Sequence, residues 1–255
     1  MIRLAYLDYR ATMKERKTWL AGAMLLYAVV AIPVVLERPP DHVREAIGAW
    51  FGNPDPFVVF MFIWIDLAMN KSIAFLPVVL ASGILLRERD TGVLAVLGAK
   101  PISMSRYFVI RTTSACAAMF TLYAGAQLLG ALWFSLKIPS FRAGPFLAAM
   151  SLHSFGGIWA TAFAAMIAVA VRRRVVAALV SIAVLGLLVG LALVGYYQPA
   201  WQTLTQANPI TLAASAMGHL GALDFSVLAP PMFVLAALTV MTMALGARLA
   251  RDMEA

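Results

Sequence analysis

Six long apolar segments set the strongest limit on what this chain can fold into. The hydrocarbon core of a bilayer is about 30 Å thick, and a helix needs about 20 apolar residues to cross it. The segments that reach this length are Thr18–Leu36, Phe57–Leu86, Phe108–Leu136, Pro145–Val171, Val175–Tyr197 and Pro230–Leu249. Of all residues, 62% are hydrophobic and only 13% are charged, and no stretch between the segments is long enough for a soluble core. We therefore predict an all-α polytopic membrane protein in which residues 1–255 form a single transmembrane domain with six transmembrane helices.

The second segment is too long for one simple crossing. Phe57–Leu86 would extend about 45 Å as a helix, because each residue adds about 1.5 Å. It also contains three polar residues: Asp66, Asn70 and Lys71. Either its first turns stand above the bilayer, or it divides into an interfacial helix and a shorter span.

The positions of the basic residues predict the orientation of the segments. Of the 20 Lys and Arg residues, 15 lie on one side: before the first segment, from the end of the second to the first turn of the third, between the fourth and fifth, or at and beyond the end of the sixth. Basic residues concentrate in cytoplasmic loops, so we expect a multi-pass protein of the cell inner membrane with both termini in the cytoplasm. The net charge of +8 is explained by these flanking cations, which argues against a nucleic-acid partner and for the lipid bilayer as the surrounding partner.

The connecting regions also carry local signals. Residues 1–17 alternate basic and apolar side chains, which predicts an amphipathic N-terminal helix in the inner headgroup layer; a solvated basic tail is the alternative. We interpret Thr18–Leu36 as a retained first span rather than a cleaved signal. In the outer loop 198–229, Asn208-Pro209 predicts the start of a short helix over Ile210–Leu220, and Pro230-Pro231 would restart the chain into the sixth span.

A charged island joins the second and third segments. Within Glu88–Arg106, apolar residues recur at helical spacing, Lys100-Pro101 would end a helix, and Ser103 or Ser105 could cap the next one. A short rigid helix here could transmit force from a soluble partner. The same pattern also fits an ordinary connecting loop.

This island resembles the loop after the second span in ABC-2 type permeases, the membrane subunits of one class of ATP-binding-cassette exporters. The matching residues are Glu88, Arg89, Gly92, Leu94, Leu97, Pro101, Ile102, Ser103 and Arg106. The six spans, the basic N-terminus and the long outer loop before the sixth span are similar to that family in outline. The resemblance implies that Glu88–Pro101 is a cytoplasmic coupling helix, and that Glu88, Arg89, Gly92, Leu94, Leu97, Pro101, Ser103 and Arg106 dock on an ATPase subunit.

The sequence contains no phosphate-binding loop of the Gly-x-x-x-x-Gly-Lys-Ser/Thr type. An exporter of this kind would therefore need a separate ATP-binding subunit that holds ATP and Mg²⁺, and this chain would be a permease rather than an enzyme. The minimal assembly would contain two permease copies and two ATPases. Gly186 and Gly190 form a small-xxx-small pair that could let two copies approach, although such pairs are also common by chance.

Few residues are candidates for chemistry. Asp66, Asn70, Lys71 and His153 are candidate pathway residues, because ionisable groups inside a membrane are usually functional. The alternatives are that the first three lie in the outer headgroup zone and that His153 is a buried, hydrogen-bonded core residue. The 14 methionines fit soft-metal handling, but also ordinary apolar packing. We predict no catalytic residue, no metal site and no cofactor in this chain.

Two other functions are also compatible with the sequence. A stand-alone ion-coupled secondary carrier would need polar groups at mid-membrane and often has an internal inverted repeat. A membrane enzyme would need a cluster of reactive groups, for which His153, Ser151 and Asp66 are the available candidates.

Overall fold

The computed structural model describes residues 2–37, 55–93, 102–138, 140–197, 201–220 and 224–253, and every regular element in these ranges is a helix. Six of the described helices are long and apolar enough to cross a membrane. We name them spans one to six: Arg16–Glu37, Pro56–Asp90, Met104–Lys137, Ala143–Val171, Arg174–Tyr197 and Phe225–Arg251. The predicted all-α polytopic fold with six transmembrane helices is confirmed.

Span four is the centre of the bundle and contacts spans two, three, five and six. Small residues dominate its buried surface: Ala149, Ala160, Ala162, Ala164, Ala165 and Ala168 are all fully buried. Small side chains let helices approach closely, so van der Waals contact can hold them together in lipid. At Gly156 an added methyl group would lie only 2.5 Å from the Ala213 Cβ atom. Span four is therefore tightly packed against both the neighbouring spans and the short helix that carries Ala213.

Span two contains a π-helical segment and a late break. Its first α-helix, Pro56–Ile63, passes directly into a π-helix over Trp64–Asn70, and α-helical turns resume over Lys71–Ala81. The chain then turns through 82–85, where buried Leu85 has a φ of 62°, and forms the short helix Leu86–Asp90. The segment is thus continuous at its start and is interrupted only after Ala81, where the short helix Leu86–Asp90 is set off from the longer helical part.

An aromatic cluster fixes the end of the bundle where span two begins. The ring of Phe134 in span three lies edge-on to both Phe60 and Trp64 of span two, with 4.9 Å between ring centroids in each pair. The ring of Phe146 in span four lies 5.7 Å from that of Phe134. Edge-to-face aromatic pairs add stability beyond their buried area. Spans two, three and four are thus held in register at this end.

Polar side chains start several helices by accepting backbone N–H hydrogen bonds: Asp55, Ser103, Asn208 and Asp224. Capping of span three by Ser103, one of the two serines considered, is confirmed. The short helix predicted in the loop 198–229 starts at Pro209, but its α-helical part ends at Ala214 and continues as the 3-10 turn Ser215–His219. The region 198–229 also contains a helical turn at Gln202–Thr205.

Span six begins earlier than predicted. The sequence places its start at Pro230-Pro231, but Asp224 caps the helix and both prolines lie inside it. Each proline removes one backbone N–H and so leaves a carbonyl unbonded four residues earlier, at Ser226 or Val227. Ser226 lies at the exposed end of the helix, where such a carbonyl can reach solvent. The prolines are therefore tolerated.

The N-terminal helix spans Ile2–Lys14 and ends in a bend at Glu15, directly before span one. It packs along span three. Leu4 and Leu7 are exposed on its surface, which suits a helix whose apolar side faces lipid. The predicted helix over 1–17 is confirmed, and its end falls three residues earlier.

Candidate functional site

One end of the bundle, which we call the basic end, carries a concentration of cations. The arginines at the ends of spans two to six there are Arg87, Arg89, Arg106, Arg111, Arg172, Arg173, Arg174, Arg248 and Arg251. They lie where spans two, four and six end and where spans three and five begin. The charged island of the sequence starts and finishes at this end.

A partly buried charged triad, Asp8, Glu88 and Arg111, joins three elements at the basic end. The Arg111 guanidinium donates from Nη2 to Glu88 Oε1 at 2.9 Å and from Nη1 to Asp8 Oδ1. Asp8 belongs to the N-terminal helix, Glu88 to the short helix that ends span two, and Arg111 to span three. The side chains of Glu88, Arg111 and Asp8 are 11%, 16% and 17% exposed, so water screens their interaction only weakly.

The charges within the triad do not balance. Two carboxylates share one guanidinium, which leaves a formal charge of −1 when all three groups are ionised. Within the described part of the chain, Asp8 Oδ2, Glu88 Oε2 and Arg111 Nε have no hydrogen-bond partner. Such a cluster is costly to disrupt at Arg111, because removal of the guanidinium leaves two partly buried carboxylates without a counter-charge.

The bend at Glu15 adds a second connection at this end. Its carboxylate lies 3.2 Å from Lys17 Nζ and 3.5 Å from Arg87 Nη1. The same Lys17 ammonium donates to the Leu80 carbonyl at 3.0 Å. The start of span one is therefore attached to span two on both sides of the turn at 82–85.

The residues of the predicted docking motif have different environments. Glu88 faces inward to the triad, whereas Arg89 and Gly92 are exposed. Gly92 has a φ of +74°, a left-handed conformation that glycine adopts without strain, and it lies in the turn after Asp90. The Ser103 hydroxyl accepts from the Arg106 N–H at 3.3 Å, and Arg106 is exposed. Leu94, Leu97 and Pro101 lie outside the described residues.

The far flank of this segment is attached to span six. The Ser105 hydroxyl donates to the Ala247 carbonyl at 2.6 Å, and Arg251 Nε donates to the Ser105 oxygen at 3.3 Å. One flank of the segment therefore contacts span three and the N-terminal helix, and the other contacts span six.

A second set of polar groups lies inside the bundle, far from the basic end. Asn70 and His153 are fully buried, and Asn70 Oδ1 lies 3.2 Å from His153 Nε2. The Tyr123 ring stacks on the imidazole, with 6.0 Å between the ring centroids and 6° between the planes. One turn away, Gln127 Nε2 donates to the Ser154 hydroxyl at 3.1 Å. The interpretation of His153 as a buried, hydrogen-bonded residue is confirmed.

Asp66 and Lys71 belong to the same segment of span two but lie closer to the surface of the bundle than Asn70. Helical spacing predicts that Asp66 shares a face with Asn70, but the wider π turn leaves Asp66 half-buried while Asn70 points fully into the core. Lys71 is exposed and lines a groove of about 240 Å³ between spans one and two, with Tyr27, Ile32 and Phe75. The four candidate pathway residues are thus divided into a buried pair and a pair near the surface.

Sequence reasoning missed two members of the charged triad, Asp8 and Arg111. Both appear in the sequence as ordinary members of charged stretches, and no local spacing connects them, since they are 103 positions apart.

In the described residues no group of three or more His, Cys, Asp or Glu side chains is arranged to hold a metal ion. No known family model matches this sequence, and no curated protein matches it either.

Proposed function

We propose that this chain is the permease subunit of an ABC-2 type exporter, driven by a separate ATPase that docks on residues 88–101. The observation that carries the proposal is the charged triad. It connects the start of the docking segment to the N-terminal helix and to span three, so a displacement of that segment would move all three elements together. This is the mechanical property that a coupling element needs.

Both flanks of the segment support the same role. Glu88 anchors its start through Arg111, and Ser105 anchors its far side to span six through the Ala247 carbonyl. Closure of two ATPase subunits on ATP and Mg²⁺ would then pull on several spans at once. The transported substrate would pass along a path formed with a second permease copy, for which Asp66, Asn70, Lys71 and His153 are the candidate residues.

The exposed and buried members of the motif would have separate roles. Arg89, Gly92 and Arg106 are open to a partner, and the resemblance adds Leu94, Leu97, Pro101 and Ser103 to the docking surface. Glu88 would act as a positioning residue, because its carboxylate is directed at Arg111. In this proposal the basic end faces the cytoplasm of a cell with an inner membrane, as the positive-inside rule predicts.

The proposal can be tested by copurification with a candidate ATPase subunit, sought first among the products of the neighbouring genes. We expect a stable complex, which Arg89→Glu weakens by reversing an exposed charge in the docking segment. Arg173→Glu is the matched control, since Arg173 is an exposed cation at the same end but outside the segment. Failure to form a complex, or equal effects of the two reversals on binding and ATPase rate, would contradict the proposal.

Glu88→Gln separates docking from force transmission. The substitution removes the ion pair to Arg111 without changing an exposed charge. We expect the complex to form normally and its ATPase rate to respond less to the presence of the permease. If Glu88→Gln instead abolishes copurification, Glu88 itself is a docking contact.

The polar groups inside the bundle favour one alternative, an ion-coupled carrier that works without an ATPase. Asn70 and His153 form a buried hydrogen-bonded pair with Asp66 and Lys71 nearby, as a carrier site would. Proton- or voltage-driven flux in liposomes containing this chain alone would support that function. A membrane enzyme built on His153 and Ser151 has less support, because the Ser151 hydroxyl is exposed and donates to the Leu147 carbonyl.

A further inference from the structure

One side of the bundle exposes polar side chains, whereas a membrane-spanning helix is expected to expose apolar ones. We call it the Lys71 face, formed by Asp66, Lys71 and Phe75 of span two and Tyr27 of span one. Tyr27 is 75% exposed and Phe75 is 47% exposed, Lys71 is also exposed, and Asp66 is half-buried. Among the described residues this face therefore combines two large aromatic side chains with one cation and one carboxylate.

The Lys71 face lies within the hydrocarbon core, toward the end of the bundle where span two begins. The contact between Asn70 and His153 places this part of span two level with the eleventh residue of span four, whose helix has 29 residues. At about 1.5 Å per residue, that level is about 15 Å from the outer end of a helix about 43 Å long. A hydrocarbon core of about 30 Å centred on span four includes this level.

Neither charge is satisfied within the described part of the chain. Among the described residues, no carboxylate oxygen lies within ion-pair distance of Lys71 Nζ, and the buried Asp66 Oδ1 has no hydrogen-bond partner. Lys71 and Asp66 nevertheless lie within electrostatic range of each other. Side chains of a helix lean toward its N-terminus, which brings the Lys71 ammonium to about the depth of Asp66.

We propose that two copies of this chain meet through the Lys71 face, and that the Lys71 ammonium of each copy pairs with Asp66 of the partner copy. A two-fold interface is self-complementary, so one contact generates its symmetric equivalent. Asp66 is the one acidic residue and Lys71 the one basic residue near the middle of the described spans, so a second copy supplies one matching charge for each. Lipid chains supply none.

The inference rests on the proposed assembly of two permeases and identifies the face by which they would join. It also gives the Lys71 face a set of paired charges that a single copy lacks. Each Lys71 would take its counter-ion from the other chain, so both charges inside the hydrocarbon core would be compensated only in the dimer.

A charge-reversal experiment distinguishes pairing between chains from pairing within one chain. The D66K copy carries two cations on the face, and the K71D copy carries two carboxylates. We expect each variant expressed alone, in two differently tagged forms, to lose self-association at least about tenfold because like charges meet. Co-expression of a tagged D66K copy with a differently tagged K71D copy should restore association to the wild-type level, because both cross-chain pairs are then complementary.

Two outcomes would overturn the inference. If co-expression does not rescue association while the double variant D66K/K71D on one chain does, the pair forms within a single chain. If the single variants associate as well as the wild type, these charges do not lie at an interface. Copurification with the ATPase is measured separately, so a failure of the Lys71 face leaves the proposed transport function untouched.

Cross-linking provides a second measurement that does not depend on charge reversal. Cys116 is the one cysteine of the chain, and it is buried, so Cys116→Ala gives a background without thiols. On that background we expect Phe75→Cys to form dimers with a short bismaleimide. Leu132→Cys, 67% exposed on span three, is the matched control and should stay monomeric. Dimers at the control position and none at Phe75 would contradict the proposal.

Discussion

Among single residues, Arg111 stands out because its side chain connects three elements of the fold. Its guanidinium compensates two carboxylates from two other elements, and all three side chains are less than one-fifth exposed. Arginine suits this position because its planar guanidinium can donate to both carboxylates at once and stays charged at any physiological pH. A single substitution at Arg111 therefore affects the N-terminal helix and two spans together.

Replacing Arg111 by methionine should destabilise the protein strongly. The variant leaves Asp8 and Glu88 partly buried without a counter-charge, which costs about 3 kcal/mol of unfolding free energy. Thermal or denaturant unfolding in detergent measures the change. Arg106→Met is the control, since Arg106 is exposed, and it should stay within about 0.5 kcal/mol of the wild type. Equal stability of the two variants would show that the triad contributes nothing.

The cap of span six predicts a pH dependence at acid pH. The Ser226 hydroxyl and then the Val227 N–H donate to Asp224, which holds its pKa below the ordinary value for aspartate. Because the folded pKa is the lower one, the cap stabilises the helix fully above about pH 4 and is lost as the pH falls through the folded pKa. We expect protection of the Val227 amide from hydrogen exchange, corrected for the intrinsic rate, to fall in that range.

Asp224→Asn is the matched control for this pH effect. Asparagine caps helices about as well as aspartate but does not titrate. The variant should keep the Val227 amide protected at neutral pH and lose the decrease at acid pH. The same decrease in both proteins would assign it to another group.

At the scale of whole elements, span six is the span least enclosed by the rest of the chain. It contacts spans three and four, and Gly246 is one of its few fully packed positions. A methyl group added at Gly246 would lie 2.4 Å from the ring of Phe108, which is itself fully buried. The absence of a side chain at Gly246 thus allows span six to approach span three.

Gly246→Ala should loosen this contact. The added methyl meets a rigid aromatic ring, and overpacking of this kind costs about 1–3 kcal/mol. Gly125→Ala is the matched control, because no atom of the described residues lies within 4 Å of the position of its added methyl group. The control should be neutral, or more stable by up to about 1 kcal/mol through helix propensity. Unfolding in detergent compares the two, and a stabilised Gly246→Ala would contradict the packing argument.

At the scale of the molecule, the two ends of the bundle differ in charge. The basic end carries the clustered arginines, and the opposite end has an exposed ion pair between Arg142 and Asp55 together with Lys137. Lys and Arg near span ends favour the cytoplasmic side of a membrane. This asymmetry supports one orientation for all six spans.

The orientation is testable with a thiol reagent that does not cross membranes. On the Cys116→Ala background, Phe225→Cys should react in intact cells, because Phe225 is 78% exposed at the end opposite to the arginines. Arg173→Cys should react only after the cells are permeabilised. The reverse pattern of labelling would place the docking segment on the outside and exclude a cytoplasmic ATPase.

Span two shows which features of a helix can be predicted from the sequence and which cannot. Its length and its polar residues indicated a segment too long for one simple crossing, but the π-helix at Trp64–Asn70 has no signature of its own in the residue pattern. The break after Ala81 likewise depends on buried Leu85 adopting a left-handed conformation, which a leucine adopts only when its surroundings impose it.

The sequence alone determined the features that depend on short distances along the chain. Apolar length predicts the six spans because lipid cannot satisfy an unpaired backbone, and Ser103 and Asn208 cap their helices through N–H groups two or three residues away. Only the tertiary structure decided which side chains meet across helices, such as Asp8 with Arg111, 103 positions apart, and Asn70 with His153, 83 apart. The physical reason is that spans surrounded by lipid are apolar on every side. Their pattern of residues therefore does not specify how each helix is rotated about its axis, and packing of small residues and pairing of rare polar groups decide it.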